Sequence, residues 1–155
     1  MDGLKRIYAR NCEVRRIERA VAEPFLQSFH RLGYTRCRYL YGLYVRRGED
    51  IPAGTLVAVA GFSAPRIWRK GERVIRSCEW IRYASLDGIG VDGGMGKLLN
   101  AFIEDVSPDD VMSYADASWS NGDVYRKLGF TEEDAKTFPD GSRSLKFRLK
   151  LTEYE

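Results

Sequence analysis

Val91-Asp92-Gly93-Gly94-Met95-Gly96-Lys97-Leu98-Leu99, followed by Ser113-Tyr114-Ala115-Asp116 and then by Val124-Tyr125-Arg126-Lys127-Leu128-Gly129-Phe130, decides how this chain is read. Three glycines stand just before Leu98, Leu99, Phe102 and Ile103, whose spacing predicts one buried face of a helix. A helix that begins at a glycine turn points unpaired N–H groups outward together, and its dipole adds roughly half a positive charge there, so a phosphate or diphosphate can be held without a basic side chain. The same glycines also suit a plain tight turn. Residues 110–117 alternate apolar and polar, which predicts a half-buried strand. Ser120-Asn121-Gly122-Asp123 then supplies an N-cap cluster for a short helix through Val124, Tyr125 and Leu128, stopped by Gly129 in the left-handed conformation.

Working outward, residues 5–14 predict a first strand. Glu23-Pro24 predicts the first turn of a helix that runs to about Leu32 and ends at Gly33. Residues 39–46 and 55–63, rich in Tyr, Val and Leu, flank a Gly/Pro loop and predict a hairpin. Residues 74–84 follow the Lys70-Gly71-Glu72 turn and are expected to pair beside that hairpin, and residues 144–151 predict a last strand. With no repeat, low-complexity segment or linker, residues 1–155 read as a single domain of the α+β class, with a mixed sheet and few helices.

No run approaches the roughly eighteen apolar residues of a membrane helix, and the N-terminus lacks the apolar stretch of a signal peptide, so the expectation is a cytoplasmic protein without a membrane partner. Cys12, Cys37 and Cys78 are odd in number and widely spaced, which predicts free thiols and no metal site. The net charge of +3 divides into +9 over residues 1–82 and −6 over residues 83–155. The basic half is mostly arginine, clustered at Arg15, Arg16 and Arg19, at Arg31, Arg36 and Arg38, at Arg46 and Arg47, and at Arg66, Arg69, Lys70, Arg73 and Arg76, with Trp68 and tyrosines between. Arginine makes bidentate phosphate contacts and stacks on bases, so this half suits nucleic acid; it also suits a merely solvated surface.

From about Arg38 to Phe130 the chain resembles the GNAT superfamily of acyl-CoA-dependent N-acyltransferases. That family's cofactor loop reads Arg/Gln-x-x-Gly-x-Gly/Ala, matched by Val91-x-x-Gly94-x-Gly96 except at the first position, and its Tyr-x-Lys-Leu-Gly-Phe signature is matched in full by residues 125–130. The nearer resemblance is to phage-encoded GNAT-like proteins, through Ser113-Tyr114-Ala115-Asp116, Trp119-Ser120, Gly122 and Tyr125, and through Glu79-Trp80-Ile81-Arg82. More distantly the chain is similar to the Mom-type phage enzymes that modify adenine in DNA, through His30-Arg31-Leu32-Gly33 and Cys78 to Arg82.

The resemblance implies a mostly antiparallel central sheet with splayed middle strands and a few flanking helices. It implies acetyl-CoA, or another acyl-CoA, as cofactor, and an amine acceptor that includes a nucleobase among the candidates. Cofactor binding falls to Tyr83 and Ala84 on the strand edge, to Val91, Asp92, Gly93, Gly94, Met95, Gly96 and Lys97 in the loop, and to Ser118 and Asn121. Ser118 stands where many relatives carry Asn, and Val91 where they carry Arg or Gln; both departures favour the alternative of a non-catalytic module binding nucleic acid or protein through the basic half. Tyr125 is the implied acid for the departing thiolate, its ordinary pKa being close to that of a thiol. Glu79 and Asp116 are both candidate bases; the residue-level alternatives are an ion pair for Glu79, a turn cap for Asp116 and simple packing for Tyr125. His30, Arg82 and Trp119 fall on the acceptor side. A monomer and a homodimer are both compatible with the sequence.

Overall fold

The structure is a computed structural model that describes residues 5–117 and 122–154. Its contacts group into two compact units, residues 1–62 with 82–107 and residues 63–81 with 108–155. The secondary structure is mixed α+β with mostly antiparallel strand pairing, as expected, and three α-helices among the described residues. No helix among them is long and apolar enough to cross a membrane.

In the first unit the predicted opening strand is two strands. β1 (Lys5–Tyr8) and β2 (Cys12–Arg16) are separated by a 3-10 turn at Ala9–Asn11. The break has a cause: β1 pairs in parallel with β7 (Ile89–Asp92), whereas β2 pairs antiparallel with β3 (Tyr39–Val45), so the chain must turn to serve both partners. β3 in turn pairs antiparallel with β4 (Leu56–Phe62), the predicted hairpin. Helix α1 (Arg19–Phe29) starts earlier than expected, so Pro24 is its sixth residue and not part of its first turn, and it ends before Leu32. The proline forfeits one intrahelical bond. The helix persists because Ala22, Phe25 and Leu26 bury one face and Arg19 pairs with Glu23 one turn on. Gly33, at φ +71, closes the turn that follows. Helix α2 (Gly94–Val106) buries Leu98, Leu99 and Phe102, and the Phe102 ring stacks on Phe62 at 3.9 Å with Tyr41 edge-on to both.

The second unit is built on β5 (Arg66–Lys70), most of β6 (Arg73–Ser85), β8 (Asp110–Asp116), β9 (Thr131–Thr137) and β10 (Arg143–Lys150), with α3 (Asp123–Lys127) after β8. β5 and β9 were not expected. β5 forms a hairpin with β6, and β10 lies antiparallel between β8 and β9. β6 and β8 run parallel, with Ser77–Glu79 in register against Asp110–Met112. Asp110, the first residue of β8, is fully buried; its Oδ2 accepts from Ser77 Oγ at 3.0 Å, Arg148 Nη1 at 2.9 Å and the Tyr154 hydroxyl, whereas its Oδ1 has no partner among the described residues.

Candidate functional site

The glycine loop lies in the first unit, between β7 and α2. Gly93, the N-cap, sits in the left-handed region (φ 79°, ψ 5°) and makes no side-chain cap. Its carbonyl accepts from Lys97 N–H at 3.0 Å, closing the first helical turn. The N–H groups of Gly94, Met95 and Gly96 find no acceptor among the described residues, so the helix start remains an open set of donors. Gly94 is buried, and a Cβ there would meet Val91 Cγ1 at 2.9 Å, Val91 Cβ at 3.1 Å and Tyr83 Oη at 3.3 Å. Val91, which replaces the basic or amide residue of the resembling loops, therefore packs onto this glycine. Gly93 and Gly96 line a groove of about 760 Å³ with Cys12, Arg46, Lys97 and Asn100 and with two carboxylates, Glu13 and Glu104, a volume within the range of small-molecule sites.

The two ionic residues of the loop are both engaged. Asp92 pairs with Arg6 at 3.0 Å, which offsets a negative charge that would oppose an anion. Lys97 turns its ammonium onto the carbonyls of Ala9 at 2.9 Å and Cys12 at 2.6 Å, tying the helix start to the 3-10 turn. Upstream, burial pushes the Tyr83 phenol up to about 12, so it is a neutral hydroxyl above Gly94. Ala84 is buried in the cluster of Phe25, Leu26, Leu40 and Val59. His30 caps the end of α1, and its Nδ1 accepts the Leu32 N–H at 3.0 Å. Burial first, then the charges of Arg82 and Arg31, hold its pKa below the usual imidazole value. Arg82 donates from Nε to the Gly33 carbonyl at 2.9 Å, so these two acceptor-side candidates belong to one cluster at the end of α1.

In the second unit α3 places Tyr125 half-buried, its ring edge-on to Trp80 and Phe130 and stacked on Phe147 at 5.2 Å. The Tyr125 hydroxyl lies 2.8 Å from Ser113 Oγ, which is also 3.1 Å from the Trp80 carbonyl. Burial raises the Tyr125 pKa and the Ser113 hydroxyl acts against it. Glu79 is in register with Met112 on β8; its N–H donates to Ser63 Oγ and its carbonyl accepts the Ser63 N–H, both at 2.8 Å. Asp116, at the end of β8, is in register with Ser144. Ser118, Trp119, Ser120 and Asn121 lie outside the described residues. Sequence reading passed over Ser113 as a site residue, yet a signal was there: it is the polar member of the buried series Val111, Ser113, Ala115.

No family model matches the chain, and no curated protein matches it. Solved structures do. The chain is similar to Arabidopsis thaliana NAA60 in complex with a bisubstrate analogue, with a TM-score of 0.66, 12% identity, and coverage of 91% of this chain and 99% of that one. It is similar to a chimera of the spermidine N-acetyltransferase SpeG from Vibrio cholerae and hSSAT (TM-score 0.60, 11% identity, 90% and 95% covered). It is also similar to a GNAT-family acetyltransferase from Bacillus cereus (TM-score 0.55, 9% identity, 92% and 99% covered). The chain has the GNAT fold.

Proposed function

We propose that this chain is an acyl-CoA-dependent N-acyltransferase, acting in the cytoplasm with acetyl-CoA as the donor. The observation that carries the reading is the open set of N–H donors at Gly94, Met95 and Gly96, at the head of a helix in a fold shared with N-acetyltransferases. A diphosphate fits there: the donors are unpaired, Gly93 and Gly96 present side-chain-free backbone to the groove, and of the carboxylates around it Asp92 pairs with Arg6 and Glu13 with Arg15, with Glu104 at its side. When bound, acyl-CoA supplies the thioester whose acyl group is transferred. The loop amides hold its diphosphate, the Tyr83–Ala84 backbone supports the arm, and Tyr125 gives its phenolic proton to the departing sulfur. Glu79 or Asp116, directly or through water, takes the proton the amine must lose. Ser118 and Asn121 stay with the cofactor, and His30, Arg82 and Trp119 with the acceptor. The test is release of free thiol from acetyl-CoA across a panel of amines. Tyr125→Phe is expected to lower kcat while leaving acetyl-CoA binding nearly intact; an unchanged kcat removes the phenol from the acid role.

A finer reading makes the enzyme phage-type and its acceptor a nucleobase amine in DNA, flipped out or single-stranded. Supporting it is the β5–β6 hairpin, where Arg66, Arg69 and Lys70 are exposed with no carboxylate partner among the described residues. If these three side chains neutralise phosphates, replacing all three with Ala reduces the slope of log affinity against log salt by roughly 0.9 for each phosphate no longer neutralised. A slope that does not change, or binding insensitive to salt, counts against this acceptor.

A further inference from the structure

Ser113 is 2% exposed, and its one hydroxyl faces two acceptors, the Trp80 carbonyl at 3.1 Å and the Tyr125 oxygen at 2.8 Å. A serine hydroxyl carries one proton and accepts through two lone pairs, so it cannot donate to both at once. Two hydrogen placements follow. In one, Ser113 donates to Trp80 and Tyr125 donates to Ser113, which leaves the phenolic proton tied down. In the other, Ser113 donates to the phenol oxygen and the phenolic proton is free to leave. Trp80 directly follows Glu79, the β6 residue in register with Met112 on β8, which places its carbonyl beside Ser113.

We infer that Ser113 is the positioning residue of Tyr125, its hydroxyl turning from the Trp80 carbonyl to the phenol oxygen as that oxygen gives up its proton. The inference rests on the reading of Tyr125 as the acid. In the step, the acceptor nitrogen bonds to the thioester carbonyl carbon and loses a proton to the carboxylate base, the C–S bond breaks with its electron pair going to sulfur, and sulfur takes the phenolic proton, leaving Tyr125 as phenolate. Ser113 donates to that phenolate until a proton returns through solvent, matched by the one the carboxylate base releases. The requirement is local. Trp80, Phe130 and Phe147 surround the ring, and Ser113 is the one hydrogen-bond partner of the phenol among the described residues. A phenolate facing only aromatic rings would be a poor leaving state for the proton, and a donor at 2.8 Å offsets that cost.

Ser113→Ala removes the hydroxyl with almost no change of volume, so the fold is expected to persist; a thermal melt checks it. The direct readout is a single 3-fluorotyrosine placed at position 125 and titrated by fluorine NMR, without any substrate. Losing the serine hydroxyl's hydrogen bond to the charged phenolate raises the titration midpoint by about 1–2 units. In parallel, kcat falls roughly three- to ten-fold, its basic limb moves to higher pH, and KM for acetyl-CoA stays within about two-fold. Ser113→Thr, which keeps the hydroxyl, restores the midpoint. A midpoint unmoved in folded Ser113→Ala overturns the inference. If instead Tyr125→Phe keeps full activity while the midpoint still moves, the hydrogen bond stands and the acid reading is what fails.

Discussion

Gly122→Ala tests how the short helix bearing Tyr125 is held. Gly122 caps α3 in the left-handed region at φ 81° and ψ 10°, and a Cβ there would lie 2.6 Å from Phe147 Cε2 and 3.0 Å from Cε1, closer still to Cζ. Phe147 is fully buried and stacked on Tyr125 with an interplanar angle of 27°, so the ring can yield only by disturbing that stack. The backbone cost of a non-glycine residue in this conformation is about 1–2 kcal/mol, and overpacking a filled core adds about 1–3 kcal/mol, for a total of roughly 2–5 kcal/mol. A four-member urea-unfolding cycle with Phe147→Leu separates the two contributions. In the leucine background the steric part disappears and Gly122→Ala costs only about 1–2 kcal/mol. Turnover falls with the single substitution, because the displaced ring is the one on which Tyr125 rests. A Gly122→Ala protein within about 0.5 kcal/mol of the parent, or a cost unchanged by Phe147→Leu, refutes the reasoning.

Lys97→Met keeps the aliphatic stem but deprives the Ala9 and Cys12 carbonyls of a charged donor, and is expected to cost about 1.5–3 kcal/mol in urea unfolding; a loss near zero shows that water replaces the ammonium. His30 predicts a pH dependence with a definite sign. Its folded pKa is depressed, so protonation favours the unfolded chain; the stabilisation is complete above the unfolded value of about 6.5 and is lost as pH falls through the lower folded value. His30→Gln offers a neutral acceptor to the Leu32 N–H, and the difference in melting temperature between it and the parent changes across that window. A constant difference means the imidazole is not held neutral.

The elements that sequence reading found are those with an apolar period. α2 carries Leu98, Leu99 and Phe102 on one face, and β8 alternates Val111, Ser113 and Ala115 inward. β5 and β9 escaped because their stability comes from partners rather than from a pattern. β9 reads Thr-Glu-Glu-Asp-Ala-Lys-Thr, a run with no buried residue, held to β10 by its ladder and by Glu133 pairing with Arg148 and Lys146. β5 is largely basic and lies against β6, where Trp68 Nε1 reaches Ser77 Oγ at 2.8 Å. Pro24 misplaced the start of α1 because a proline in a first turn is the commoner arrangement, and here a buried face outweighs one lost hydrogen bond. In the site, the glycine loop was legible from residue type alone. The engagement of Lys97 with two carbonyls and the pairing of Ser113 with Tyr125 were not, since both depend on which backbone atoms tertiary packing brings near.

Calorimetric titration of the intact protein with acetyl-CoA, accompanied by thermal melts, addresses the central claim that the N–H groups of Gly94, Met95 and Gly96 bind a diphosphate. Saturable binding is expected, with about 2.7 kcal/mol of stabilisation at a hundred times the dissociation constant. Gly94→Val, which crowds Val91 and Tyr83 at the same loop, is expected to abolish that binding. A folded parent protein that shows neither heat nor a melting shift with acetyl-CoA or other acyl-CoAs contradicts the account, and a Gly94→Val protein that binds as tightly as the parent reduces the loop to a turn.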